Sequence, residues 1–219
     1  VLPADDPEGE LQVIQPRIRG LEYNIAHYGD HFYIITNLDA NNFRLMKAPV
    51  DRPGREHWEE VIPHREDVMI EGIEIFSKYL VVNERKEGLN MLRVIPWDGS
   101  GEHYVEMGEE VYAAWISINL DFESELLRYV YTSLTTPNTT FEYNLTSREK
   151  ILLKQQEVIG DFDPDNYRTK RLYAKADDGQ KIPMSVVYRK GLELDGRNPT
   201  LLYGYGSYGI TEDPYFASH

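Results

Sequence analysis

The sequence contains no cysteine. Disulfides, thiolate nucleophiles and cysteine-ligated zinc are thereby excluded, and a reducing, cytoplasmic setting is expected. Long apolar runs are missing too. Nothing approaches the roughly 18 to 20 consecutive apolar residues of a membrane span, so no membrane partner is expected. The opening "VLPADDPEGE" has neither an initiator Met nor the pattern of a secretory signal, and the native N-terminus is expected to lie elsewhere. Basic residues are scarce: 23 Lys and Arg stand against 37 Asp and Glu, a net charge of −14. Nucleic-acid binding needs basic patches, so such a surface argues against it. The same charge serves solubility and draws cationic ligands over distance. It is uneven, with −13 on residues 1–158 and −1 on residues 159–219.

What is present points to a β protein. Aromatics make up 12%, with 16 Tyr, residues that suit strands. The segments 31–37 (HFYIITN), 42–50 (NFRLMKAPV), 79–85 (YLVVNER), 89–97 (LNMLRVIPW) and 127–134 (LRYVYTSL) are short, rich in Val, Ile, Tyr and Phe, and separated by polar turns. No segment holds a 3.6-residue period over three turns. A weak repeat covers residues 22–64, 70–107 and 111–158, each reading as four strands. Its period of about 40 to 50 residues favours propeller blades over a sandwich. Three blades are fewer than a propeller holds, and "GELQVIQPR" reads as the outer strand of a preceding blade. The chain is therefore expected to be part of a larger protein. The domain division expected is 1–158, a partial β-propeller, and 159–219, a second domain.

After Val158 the texture changes. Residues 159–170 read as a linker. Residues 170–190 read as a hairpin turning at Asp178-Gly179. Residues 198–209, "NPTLLYGYGSYG", read as a short buried strand breaking into a glycine-rich loop, as at the active sites of parallel α/β sheets.

Several motifs carry candidate chemistry. Asp161, Asp163 and Asp165 have the spacing that opens a calcium loop, but Asn166 replaces its glycine and Leu172 its bidentate Glu. Of His27, His31, His57, His64, His103 and His219, only His27 and His31 stand four apart, the spacing of a helical zinc pair, but the histidines of the β region read as loop or strand-end residues rather than one face of a helix. No metal and no cofactor are expected. Asn138 and Asn144 begin N-x-T sequons, read as unmodified turn and strand residues. Ser207 sits between glycines, yet the G-x-S-x-G elbow needs a glycine where Tyr205 stands, so Ser207 is not the expected nucleophile. Tyr205 has a glycine on each side, which allows a sharp bend and close approach to a ligand. Its phenol could donate to a developing oxyanion, or the motif could be a packed aromatic turn; spacing leaves both open.

The run "DPDNYRTKRLYAKADDGQKIPMSVVYRKGLELDGRNPTLLYGYGSYGITEDPYF", residues 163–216, resembles the prolyl oligopeptidase family of serine peptidases, most closely its oligopeptidase B branch. The resemblance implies the C-terminal blades of a seven-bladed β-propeller followed by the first strands of an α/β-hydrolase domain. It implies hydrolysis of short basic peptides after Lys or Arg by a Ser-Asp-His triad. It assigns the Tyr205 hydroxyl to the oxyanion hole and Tyr208 to the pocket for the residue before the scissile bond. Ser207 matches no triad member, and His219 comes too early to be the triad histidine. The expected partners are short basic peptides and the remainder of the same enzyme, the missing blades and hydrolase domain. A catalytically inactive fragment is expected. The alternatives are a propeller interaction module without catalysis and a related exopeptidase.

Overall fold

A computed structural model describes residues 1–217. The candidate His219 lies outside the described residues. Two compact units divide after Ile75. In the first, β1 (Tyr23–Tyr28), β2 (His31–Thr36), β3 (Arg44–Pro49) and β4 (Glu59–Ile62) form an antiparallel meander in sequence order. β2 is apolar nearly throughout and buried on both faces, as expected for an inner strand. Ile14, Phe32, Ile34, Met46, Ala48 and Trp58 form this unit's core. The Trp58 indole N–H donates to Pro53 O at 2.9 Å, and the Tyr23 ring meets it edge-on at 5.8 Å. β5 (Val68–Ile75) ends the unit.

The second unit begins with β6 (Tyr79–Lys86), β7 (Leu89–Pro96) and the two-residue β8 (His103–Tyr104), paired antiparallel. A four-stranded antiparallel sheet follows: β9 (Ala113–Ile116), β10 (Leu126–Thr132), β11 (Thr139–Asn144) and β12 (Lys150–Gln155). Alternate residues of a strand share a face. Leu127, Tyr129 and Tyr131 of β10 therefore point one way, and they meet Tyr79, Val81, Leu92 and Val94 in a single core. Successive four-stranded meanders with strands adjacent in sequence order fit propeller blades. The strands fall within each of the three repeats expected from the sequence, with ends shifted by one or two residues.

β6 and β7 are joined by Glu87 and Gly88, both at positive φ (48° and 77°). Two such residues make the tight hairpin turn whose twist matches its strands. Beyond β12, Asp163 Oδ1 accepts from the Asp165 N–H at 2.9 Å and caps a 3₁₀ turn, Pro164–Asn166. The acidic run thus serves the backbone. β13 (Tyr167–Lys175) and β14 (Lys181–Arg189) form the expected hairpin, closed by Gly179 at φ +89°.

The buried strand expected within residues 198–203 does not form. Leu201 and Leu202 are 90% and 84% exposed, and among the described residues no strand pairs with them. A central parallel strand needs hydrogen-bonding neighbours and covered faces, and among the described residues only the β13–β14 hairpin adjoins it in sequence. Among the described residues no helix is long and apolar enough to cross a membrane.

Two stability predictions follow from local geometry. The Tyr129 side chain is fully buried, stacked on Phe141 at 5.6 Å, and its hydroxyl has no hydrogen-bond partner among the described residues. Burying an unpaired hydroxyl is costly, so Tyr129→Phe should leave stability unchanged or raise it by up to about 1 kcal/mol in denaturant melts. A loss of more than about 1 kcal/mol would mean that the hydroxyl is bonded. Gly88→Ala should destabilise by roughly 1–2 kcal/mol, the cost of a left-handed non-glycine residue. The new Cβ would also stand 2.8 Å from Arg171 Nη2. An unchanged melting temperature would contradict this.

Candidate functional site

The tyrosine–glycine loop is the candidate site. Residues 199–212 are all exposed. Of its tyrosines, Tyr205 is the most sheltered at 49% exposure, against 74% for Tyr203 and 94% for Tyr208. The sharp bend expected around Tyr205 lies later. Tyr208 and Gly209 take positive φ, +59° and +70°, and the Ile210 N–H donates to Ser207 O at 3.1 Å. Gly204 and Gly206 have ordinary φ values, and nothing stands within 4 Å of a Cβ built on either. Their value is open space beside the Tyr205 backbone, which a ligand could enter. Among the described residues no hydrogen bond joins Ser207 Oγ to a histidine or a carboxylate.

The loop's exit is fixed. Asp213 receives both guanidinium nitrogens of Arg85, at 2.6 and 3.1 Å, in a pair only 14% and 10% exposed. Pro214 is buried. The Phe216 N–H donates to Thr132 Oγ1 at 3.2 Å, and its ring meets Phe162 edge-on at 4.9 Å. The Tyr215 ring meets Trp115 edge-on at 6.0 Å. The hairpin binds the same turn that Arg85 precedes. Arg171 donates to Glu87 O, and Tyr173 Oη donates to Glu87 Oε2 at 3.0 Å. The ends of β6 and β10 therefore carry the segment that follows the tyrosines. Sequence reading missed Arg85, Glu87, Thr132 and Asp213. Arg85 and Asp213 lie 128 positions apart, and a single sequence gives no signal for such a pair.

Other acidic groups are engaged within the chain. Glu84 is fully buried, accepting from Tyr104 Oη at 2.8 Å and pairing with Arg93 at 3.3 Å. Glu109 accepts from Tyr131 Oη at 2.7 Å and Thr136 Oγ1 at 2.8 Å. Burial, and then the hydrogen bond to Glu109 and its charge, push the Tyr131 phenol well above its ordinary range. His103 stands 3.0 Å from Tyr143 Oη, and burial followed by the Arg148 charge hold its pKa below the usual value. Among the described residues no three His, Asp or Glu side chains converge to hold a metal. In the first unit, a cavity of about 750 Å³ lined by Arg17, Tyr23, Phe43 and Met69 contains none of the expected site residues.

The profile of the prolyl oligopeptidase N-terminal beta-propeller domain matches residues 1–156. Dipeptidyl aminopeptidase BI of Pseudoxanthomonas mexicana is 46% identical over 217 residues, 98% of this chain and 30% of its own length. Protease 2 of Moraxella lacunata is 32% identical over 216 residues, 99% of this chain and 31% of its own. Oligopeptidase B from Leishmania major superposes with a TM-score of 0.85 at 37% identity, covering 95% of this chain and 30% of that one. The chain spans less than a third of the length of these relatives. The antiparallel meanders and the matched profile lead to one conclusion: the chain belongs to the prolyl oligopeptidase family, with residues 1–156 in the family's N-terminal β-propeller domain.

Proposed function

We propose that the chain is part of a serine oligopeptidase that hydrolyses short peptides after Lys or Arg. Residues 1–158 are propeller and residues 159–219 begin an α/β-hydrolase domain. The Ser-Asp-His triad lies outside this sequence, and the isolated chain is inactive. The observation that carries the reading is the half-exposed Tyr205, flanked by unobstructed glycines and followed by a segment fixed to two propeller strands.

The chemistry follows from charge. Attack of the triad serine on the scissile carbonyl moves negative charge onto the carbonyl oxygen. A donor aimed at that oxygen stabilises the transition state more than the ground state. The Tyr205 hydroxyl supplies this hydrogen bond, and a backbone N–H near the nucleophile supplies the other. Tyr208 lines the pocket for the residue before the scissile bond. The acidic propeller concentrates basic peptides near the site.

The similarity to dipeptidyl aminopeptidase BI, at 46% identity, favours a second reading in which dipeptides are released from a free N-terminus. Matched peptides with blocked and free N-termini separate the two on the complete protein. The first reading expects turnover of blocked basic peptides, and the second expects turnover only of free ones.

Tyr205→Phe in the complete protein should lower kcat by ~10²–10³, the usual effect of losing one oxyanion donor, with KM little changed. A rate near the parent's would remove Tyr205 from the mechanism. Raising salt from ~0.02 to ~0.5 M shortens the screening length several-fold, so kcat/KM for a dibasic peptide should fall while that for a singly charged one changes little. Equal responses would rule out steering by the acidic surface.

A further inference from the structure

We infer that Arg85, on propeller strand β6, is a positioning residue for the oxyanion donor. It holds the loop that carries Tyr205 through its bidentate pair with Asp213. The inference rests on the Tyr205 reading above.

The loop has little structure of its own. Residues 199–212 are exposed, and a backbone hydrogen bond from the Ile210 N–H to Ser207 O closes its bend. Its course therefore depends on what holds its ends. Asp213 lies four residues after Gly209 and is the first residue past the loop to leave solvent. The two parallel hydrogen bonds from Arg85 fix the carboxylate in direction as well as distance, which a single contact could not do. Tyr215 N–H donates to Asp213 O at 2.8 Å, carrying that orientation into the next residues. Arg85 is itself oriented. It leads into the tight Glu87-Gly88 turn, and its Nη1 also reaches Gly88 O at 3.4 Å. That turn is gripped by Arg171 and Tyr173 of β13, so both sides of the loop refer to one point on the propeller. A donor displaced by about 1 Å can cost on the order of 10²-fold in rate. The length of side chain between β6 and the loop thus becomes a catalytic variable, although Arg85 touches no substrate.

A double-mutant cycle on the complete protein tests this. Arg85→Met should lower kcat by roughly 10- to 100-fold with KM little changed. In the Tyr205→Phe background the same substitution should change kcat by less than about 2-fold, because the group it positions is already gone. Asp213→Asn keeps the shape while weakening the charged pair. It should behave like Arg85→Met in both backgrounds, and it decides the matter if Arg85→Met fails to fold. Arg128→Ala, which breaks the more exposed pair with Glu142, should leave kcat unchanged. If Tyr205→Phe is impaired but Arg85→Met multiplies its loss independently, the inference is overturned and the Tyr205 reading stands. If Tyr205→Phe is as active as the parent, the oxyanion reading falls, and the positioning role falls with it. If both pair variants fold and keep full kcat, the pair does not position the loop.

Discussion

Leu127, Tyr129 and Tyr131 of β10 point into the slab they share with Tyr79, Val81, Leu92 and Val94, and the second unit depends on this packing. Each large apolar side chain so buried contributes roughly 1.5–3 kcal/mol against the entropy lost in ordering the strands around it. The slab also fixes where the strands end. Arg85 and Thr132 sit at the ends of β6 and β10, and these two hold Asp213 and Phe216. The site therefore inherits its geometry from a core that contains none of its chemistry.

The propeller was legible because its signals are local. Period-two runs such as residues 127–134 and polar turns such as Glu87-Gly88 place strands within a residue or two. Spacing between them exposes the repeat. The Asp178-Gly179 hairpin was legible for the same reason: the turn chemistry lies in adjacent residues. The apolar run at 198–203 misled, because a buried strand and an unpaired apolar segment look alike until neighbours are known. The bend was misplaced for a related reason. Gly204 and Gly206 permit a turn, but Tyr208 and Gly209 make it. Composition changes at Val158, whereas compactness divides the chain after Ile75, because Asp213, Phe216 and Arg171 are bonded to β6, β10 and the Glu87 turn.

On the proposed reading, the loop divides labour between residue types. Glycines keep space around the Tyr205 backbone, and Asp213 ties the exit to the propeller. Ser207, the residue that first suggests a nucleophile, contributes its carbonyl to the bend. This arrangement suits stabilisation of charge that forms elsewhere. It does not suit attack, since among the described residues no histidine or carboxylate is hydrogen-bonded to Ser207 Oγ.

The most direct test is to label the complete protein with a serine-directed phosphonate and map the modified peptide by mass spectrometry. The account predicts one modified serine outside these 219 residues, with Ser207 unmodified. Phosphonylation of Ser207 would contradict it.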